Sequence, residues 1–192
     1  MREIKFSKAI LEATDQCMAS DPSVFIIGLG VPDPGGIFGT TVGLQEKYGE
    51  DRVMDMPLSE NCMTGIITGA SLNGFRPILT HQRVEFALLS IDQIVNQAAK
   101  WQSMLGGGIK IPLTIRSIIN RGGEQGAQHS QALQAWYAHI PGLRVVMPST
   151  ASDARDLLIS SVLCNDPVLY IDDRWCYDNE VNYFSPKEVD LL

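Results

Sequence analysis

A single carboxylate, Glu60, stands where an apolar strand-like run ends and a run of small and apolar residues begins, in the stretch DMPLSENCMTGIITGAS. The apolar spacing after it predicts a helix buried on most of its surface, formed by Met63, Ile66, Ile67, Ala70 and Leu72. A carboxylate in such surroundings is either a helix-terminal charge stabilised by the helix dipole or a group that transfers protons.

A histidine in a Gly-rich loop is the second chemically interesting residue. His129 follows Glu124, Gln125 and Gln128 and precedes Ser130, a polar set that leads into a helix-like segment. This setting suits a proton donor that faces a substrate. A flexible connection whose glycines allow left-handed turns is an equally good interpretation of the same loop. The later His139 fits a packed or helix-terminal histidine better.

The elements that must position these residues alternate along the chain. Short apolar runs predict six strands: VFIIGLG, RVMDMP, RPILTH, IPLTIRSI, LRVVMP and PVLYIDD. Helical spacing predicts five helices: residues 6–17, NCMTGIITGASL, FALLSIDQIVNQAAKWQSML, SQALQAWYAHI and TASDARDLLISSVL. Strands of this kind, buried on both faces, favour a mainly parallel sheet in a three-layer α/β/α domain. We expect one domain, 1–192, with a polar peripheral tail from about residue 175.

Composition limits the classes of function. The 192 residues are 45% hydrophobic, enough for a full core, and the net charge is -7 without a basic cluster. Nucleic-acid and anionic-membrane partners are therefore disfavoured. No apolar stretch approaches the roughly 20 residues of a membrane span, and the N-terminus does not resemble a signal peptide, so we expect a cytoplasmic protein. The four cysteines lack metal-ligand spacing, which predicts reduced thiols and no metal site.

The first Gly-rich loop does not match a nucleotide fingerprint. Gly28 and Gly30 follow a predicted strand, but position 33 is Asp33, and Pro32 and Pro34 prevent an immediate helix. The chain also has neither a P-loop nor a G-x-S-x-G elbow. An unrelated nucleotide-binding α/β domain is therefore a weak alternative.

Several segments together resemble a known family. In order they are VFIIGLGV, KYGEDRVMDMPLSE, TGIITGASLNGFRPI, FALLSIDQIVNQAAK, AQHSQALQAWYAHIPGLRVVMPST and NDPVLYIDD. They are similar to the pyrimidine-binding domain of transketolase-like thiamine diphosphate enzymes, above all to the beta subunit of the first component of pyruvate and branched-chain 2-oxo acid dehydrogenases. The resemblance covers nearly the whole chain.

The resemblance implies roles for particular residues. Glu60 would be the glutamate that bonds the aminopyrimidine nitrogen and drives the imino tautomer of thiamine diphosphate, and apolar surroundings would favour the protonated acid that this requires. His129 would be the active-site histidine. At the family's cofactor-contacting positions this chain has Leu29 in place of an acidic residue and His81 and Val84 in place of stacking aromatics, with Phe86 as the nearest aromatic.

The resemblance also implies a partner. The chain lacks the G-D-G motif and the following Asn pair that hold the diphosphate and Mg²⁺ in the family, and we expect the C-terminal domain of the usual beta subunit to be absent. We therefore expect shared thiamine diphosphate, Mg²⁺ supplied through a partner subunit with the diphosphate-binding domain, and a homodimer or heterotetramer active only as a complex. The expected substrate is a 2-oxo acid or a ketose-like carbonyl compound. A non-catalytic interaction or regulatory subunit of the same fold is the alternative.

Overall fold

A six-stranded sheet forms the centre of the molecule. The computed structural model describes residues 2–120, 125–178 and 180–183. Its strands are β1 (Arg2–Lys5), β2 (Val24–Ile27), β3 (Val53–Met54), β4 (Arg76–His81), β5 (Thr114–Ile119), β6 (Arg144–Val146), β7 (Val168–Asp173) and β8 (Glu180–Tyr183). Strands β2 to β7 form the sheet in the order β3-β2-β4-β5-β7-β6, and every neighbouring pair is parallel. The predicted fold class is confirmed.

Helices cover both faces of this sheet. They are α1 (Phe6–Ser20), α2 (Leu44–Tyr48), α3 (Glu60–Leu72), α4 (Ala99–Met104), α5 (Gln134–Ala138) and α6 (Ala151–Leu163). Side chains alternate between the faces along each strand. On the α1 face, Ile78 and Ile118 pack with α1 and α6. On the α3 face, Leu79 and Ile115 pack with α3, α4 and residues of α5.

The prediction of one long regular α-helix over residues 86–105 is wrong. The structure has a 3₁₀-helix at Val84–Ser90, a π-helix at Gln93–Ala98 and then α4. The buried residues explain the change. Val84, Ala87 and Ser90 repeat every three residues, which suits the three residues per turn of a 3₁₀-helix. Ser90, Ile94 and Ala98 then repeat every four, a spacing that turns wider than 3.6 residues keep on one face.

Other differences are confined to short elements. The predicted strand RVMDMP is reduced to the two residues of β3, and the helix SQALQAWYAHI is reduced to α5. Helix α2, which the sequence analysis does not predict, follows Gly43 at φ 78°. Helix α6 is capped by Thr150, whose hydroxyl accepts a hydrogen bond from the amide of Asp153 at 3.1 Å.

Part of the predicted peripheral tail belongs to the folded body. Tyr177 is buried, and β8 pairs antiparallel with β1 in a separate two-stranded sheet. The expectation of a peripheral segment is therefore wrong at Tyr177. The rest of that expectation, at residues 184–192, lies outside the described residues, as does Glu124 of the polar set near His129.

A crevice is expected where the chain leaves β2 and β4 in opposite directions. From β2 the chain proceeds to β3 at one edge, and from β4 it proceeds to β5 on the other side. Ligands bind at such switch points, beyond the carboxyl ends of the strands. Gly28 lies at the end of β2, where a Cβ atom would stand 2.4 Å from the Thr80 carbonyl oxygen. Only glycine allows this close approach of the loop to β4.

Candidate functional site

Glu60 is the first residue of α3, which the sequence analysis places at the start of a helix. Its side chain is half-buried. The Thr64 hydroxyl donates to the Glu60 carbonyl oxygen at 2.8 Å, and the Ser59 side chain makes no capping bond. The carboxylate therefore occupies the helix N-terminus at the carboxyl-terminal edge of the sheet, where the dipole favours negative charge.

The expectation that α3 is buried on most of its surface is wrong. Of its predicted apolar positions only Ile67 is buried, whereas Ile66 is 55% and Leu72 is 38% exposed. The rest of the buried face consists of Thr64, Thr68 and Ser71. Their hydroxyls donate to carbonyl oxygens of the same helix, which allows their burial. Ile66 and Leu72 are thus left on the surface of the helix.

Two polar side chains that sequence reasoning missed connect the loops around this crevice. The Asp55 carboxylate accepts hydrogen bonds from the amides of Gly30 and Met56, both at 2.9 Å. The Gln82 side-chain amide donates to the carbonyl oxygen of Leu29 at 2.9 Å. Leu29 is partly buried and is thereby fixed between the ends of β2 and β4. Polar residues directly after strands that lie at the switch point or next to it are the sequence signal that could have identified both.

The three candidate stacking residues have different positions. His81 is 2% exposed and Val84 is 0% exposed, so both lie inside the core. Burial lowers the pKa of His81 to about 4, and its imidazole is neutral near pH 7. Phe86 is only partly buried and meets the His129 ring edge-on, with centroids 5.5 Å apart. The structure brings Phe86 and His129 together and places His81 and Val84 behind this surface.

His129 ends a short 3₁₀ turn, Ala127–His129, and is half-buried. Its Nδ1 atom is buried and has no hydrogen bond among the described residues. Two residues later, the Gln131 amide donates to Oε1 of Glu85. Glu85, which the sequence analysis did not single out, is 7% exposed, and its Oε2 atom also lacks a partner among the described residues.

A second buried polar group lies on the opposite face of the sheet. Arg116 on β5 and Asp172 on β7 form an ion pair with distances of 3.0 Å from Nε to Oδ1 and 2.8 Å from Nη2 to Oδ2. Arg116 also donates to the Thr40 and Tyr177 hydroxyl oxygens, each at 2.7 Å. The Tyr177 hydroxyl in turn donates to Asp172. Every polar atom of the two charged groups is thus hydrogen-bonded.

The described residues contain no metal-binding cluster and no membrane-spanning helix. Among residues 2–120 and 125–178, no group of three or more His, Cys, Asp or Glu side chains is placed to hold a metal ion. The four cysteines are reduced. No helix in the described part of the chain is long and apolar enough to cross a membrane.

The sequence of residues 2–174 matches the family model described as the pyrimidine-binding domain of transketolase. The chain belongs to this family. All the candidate residues, from Leu29 to His129, lie inside the matched range. The family assignment replaces the unrelated nucleotide-binding alternative.

Curated relatives in this family are beta subunits of larger enzymes. The chain is 40% identical to the pyruvate dehydrogenase E1 component subunit beta-2 of Oryza sativa subsp. japonica over 92% of its own length and 47% of the relative's. It is 42% identical to the acetoin:2,6-dichlorophenolindophenol oxidoreductase subunit beta of Cupriavidus necator over 93% of its own length and 56% of the relative's. The chain thus spans about half the length of these relatives.

A solved structure with a similar fold is a split-gene transketolase, described as an inactive beta4 tetramer. The TM-score is 0.71 over 89% of this chain and 51% of that chain, with 19% sequence identity. This similarity supports the transketolase-like fold of the pyrimidine-binding family.

Proposed function

We propose that this chain is the pyrimidine-binding part of a split thiamine diphosphate-dependent enzyme that acts on a 2-oxo acid or a ketose-like carbonyl substrate. The observation that carries the proposal is the position of Glu60, the first residue of α3 at the carboxyl-terminal edge of the sheet. Leu29 lies at the same edge, fixed to the end of β4 by Gln82. In a member of the pyrimidine-binding family, this edge is the expected ligand site.

The residues present fit such a cofactor. The Glu60 carboxylate can exchange a proton with a ring nitrogen, and the partly buried Phe86 ring offers an aromatic surface next to His129. The partly buried Leu29 would offer an apolar contact to the cofactor, and His81 and Val84 are buried in the core. When bound, thiamine diphosphate supplies a carbon nucleophile for the substrate carbonyl. His129 is the residue of this chain that would donate or accept protons at the substrate.

The other half of the cofactor site is proposed to come from outside these 192 residues. The sequence contains no G-D-G motif for the diphosphate and Mg²⁺. The exposed apolar residues next to Glu60 support a covering partner, since Leu58 is 76% and Ile66 is 55% exposed. Exposed apolar patches of this kind mark interfaces.

Contact with a second copy of this chain is part of the proposal. An apolar groove of about 440 Å³ lies between the 84–98 segment and α5, and its walls include Ile91, Val95, Trp136 and Ile140. Trp136 is 63% exposed there. We expect light scattering to show a dimer or larger species, and Trp136→Glu to shift it toward monomer. Met104→Glu, at an exposed site away from the groove, is the control. A strict monomer at all concentrations contradicts this part of the proposal.

A non-catalytic interaction subunit is the second candidate. It is favoured by one observation: His81 and Val84, which replace the family's stacking aromatics, are buried and present no ring to a cofactor. This candidate predicts that the reconstituted complex assembles normally but binds no thiamine diphosphate at this chain.

The deciding experiment uses the complex with the chain that carries the diphosphate site. Glu60→Gln keeps the size of the side chain but removes the ionisable acid, so hydrogen–deuterium exchange at the cofactor's thiazolium carbon should slow by about 10²- to 10⁴-fold. His129→Ala should slow turnover and leave that exchange nearly unchanged. Glu46→Gln, another glutamate in a first helical turn, is the matched control. If Glu60→Gln exchanges this hydrogen at the parent rate, Glu60 is only a charge at the end of a helix, and the second candidate is favoured.

A further inference from the structure

Glu85 is a buried carboxylate that the mechanism above does not use. It lies in the Val84–Ser90 3₁₀-helix, between core residues Val84 and Ala87, with 7% of its surface exposed. Burying a carboxylate is costly unless its oxygens are hydrogen-bonded. Oε1 accepts the amide hydrogen of Gln131. Oε2 is buried and has no partner among the described residues.

The surroundings of Glu85 lead to His129. Gln131, which Glu85 anchors, is two residues beyond His129. Phe86, the next residue after Glu85, packs edge-on against the His129 ring at 5.5 Å between centroids. The same 3₁₀-helix therefore holds the His129 segment through the hydrogen bond from the Gln131 amide to Glu85 and through a ring contact. Nδ1 of His129 is, like Oε2 of Glu85, a buried atom without a hydrogen bond in the described structure.

The chemistry of these two atoms is complementary. An ionised carboxylate oxygen only accepts hydrogen bonds, whereas the Nδ1 atom of a neutral imidazole either carries a proton or accepts one. The Ser130 hydroxyl, which is also buried and unbonded, can donate or accept and so does not select a tautomer. Among the unbonded buried acceptors of this segment, which include the neutral Gln134 Oε1, the carboxylate carries the charge that can fix the position of the imidazole proton.

We propose that Glu85 is a positioning residue for His129. Oε1 holds the backbone at Gln131, and Oε2 accepts the proton of Nδ1 through one water molecule. This arrangement leaves Nε2 of His129 as the nitrogen that works on a bound molecule. A role of Nε2 in proton transfer to a bound molecule rests on the proposed function. The tautomer of His129 is a property of this chain alone.

The test is the ¹⁵N spectrum of the histidine rings in the isolated chain at alkaline pH. The chain has three histidines, and the signals of His129 are identified by their loss in His129→Gln. The parent should show His129 with its proton on Nδ1. Glu85→Gln keeps an oxygen for the Gln131 amide but turns the other position into a donor, so the proton should move to Nε2. Glu85→Asp keeps an acceptor and should retain the parent tautomer. Glu46→Gln is the control without an effect.

Two results would overturn the inference. One is a parent protein with the His129 proton on Nε2, which needs no variant to observe. The other is a folded Glu85→Gln variant with the parent tautomer, which would leave Glu85 a purely structural anchor. If Glu85→Gln does not fold, the parent and Glu85→Asp spectra decide, because loss of the Nδ1 proton in either contradicts the proposal. Failure of the chain to bind thiamine diphosphate changes neither spectrum, so this test is separate from that of the proposed function.

Discussion

Two groups of buried polar residues, one on each face of the sheet, have opposite character. On the α1 face, Arg116, Asp172 and Tyr177 satisfy one another completely. On the α3 face, His81 and the neighbouring Ser117 on β5 are buried with unbonded side-chain atoms in the described structure. A satisfied network of this kind fixes the fold. Unbonded buried atoms occur where water, a ligand or another chain completes the bonding.

The hydroxyl groups of Tyr177 and Tyr137 show the same contrast between bonded and unbonded buried groups. The Tyr177 hydroxyl bonds both charged partners, whereas the Tyr137 hydroxyl on the α3 face has no hydrogen bond among the described residues. Burial raises the pKa of Tyr177 well above its ordinary value and that of Tyr137 to about 12. Both therefore remain protonated, and the difference between them lies in their partners. Tyr137 belongs to the same core cluster as Ile67 of α3.

The largest expected effect is on the closed network. Asp172→Asn keeps the size of the side chain but leaves the buried Arg116 guanidinium without its countercharge. Breaking a buried pair in this way costs about 3–5 kcal/mol in the free energy of unfolding, which urea unfolding measures. Asp166→Asn, which breaks the exposed pair with Arg144, should cost at most about 1 kcal/mol. Equal losses in the two variants would contradict the fully buried and bonded state of the Arg116–Asp172 pair.

The next effect is the pH dependence contributed by His81. Its pKa falls from 6.5 to about 4 on burial, so the unfolded chain binds a proton before the native chain does. The contribution of neutral His81 to the free energy of unfolding is fully present above pH 6.5. It is lost as the pH falls toward 4, by about 3 kcal/mol in total. His81→Phe should remove this part of the loss in urea unfolding between about pH 7.5 and about pH 4.5. An identical pH profile in parent and variant would show that His81 is not a buried neutral imidazole.

The smallest effect comes from the matched tyrosines. Tyr177→Phe removes hydrogen bonds to charged groups and should lower the free energy of unfolding by about 1.5–3 kcal/mol. Tyr137→Phe removes a hydroxyl without a partner in the described structure, so stability should change by less than about 0.5 kcal/mol or increase. Urea unfolding of both variants checks this. A large loss in Tyr137→Phe would mean that its hydroxyl is bonded through water. The two tyrosines would then not differ in their hydrogen bonding.

The sequence by itself determined the sheet and the position of Glu60. The apolar runs of β2, β4 and β7 identify strands because parallel strands buried on both faces need apolar residues at nearly every position. Helix α3 begins at Glu60, at the change from strand-like to helical spacing. These features depend on neighbours close in the chain, which local periodicity records.

Tertiary structure alone decided the polar pairings and the surface of the site. Arg116 and Asp172 are 56 residues apart, and Glu85 meets Gln131 across 46 residues, separations about which local spacing contains no information. The exposure of Ile66 and the change of the 84–98 segment from α- to 3₁₀- and π-helix also depend on which face packs against the sheet. Long-range contacts select these features, because the free energy of burying a side chain depends on neighbours that only the folded chain brings together.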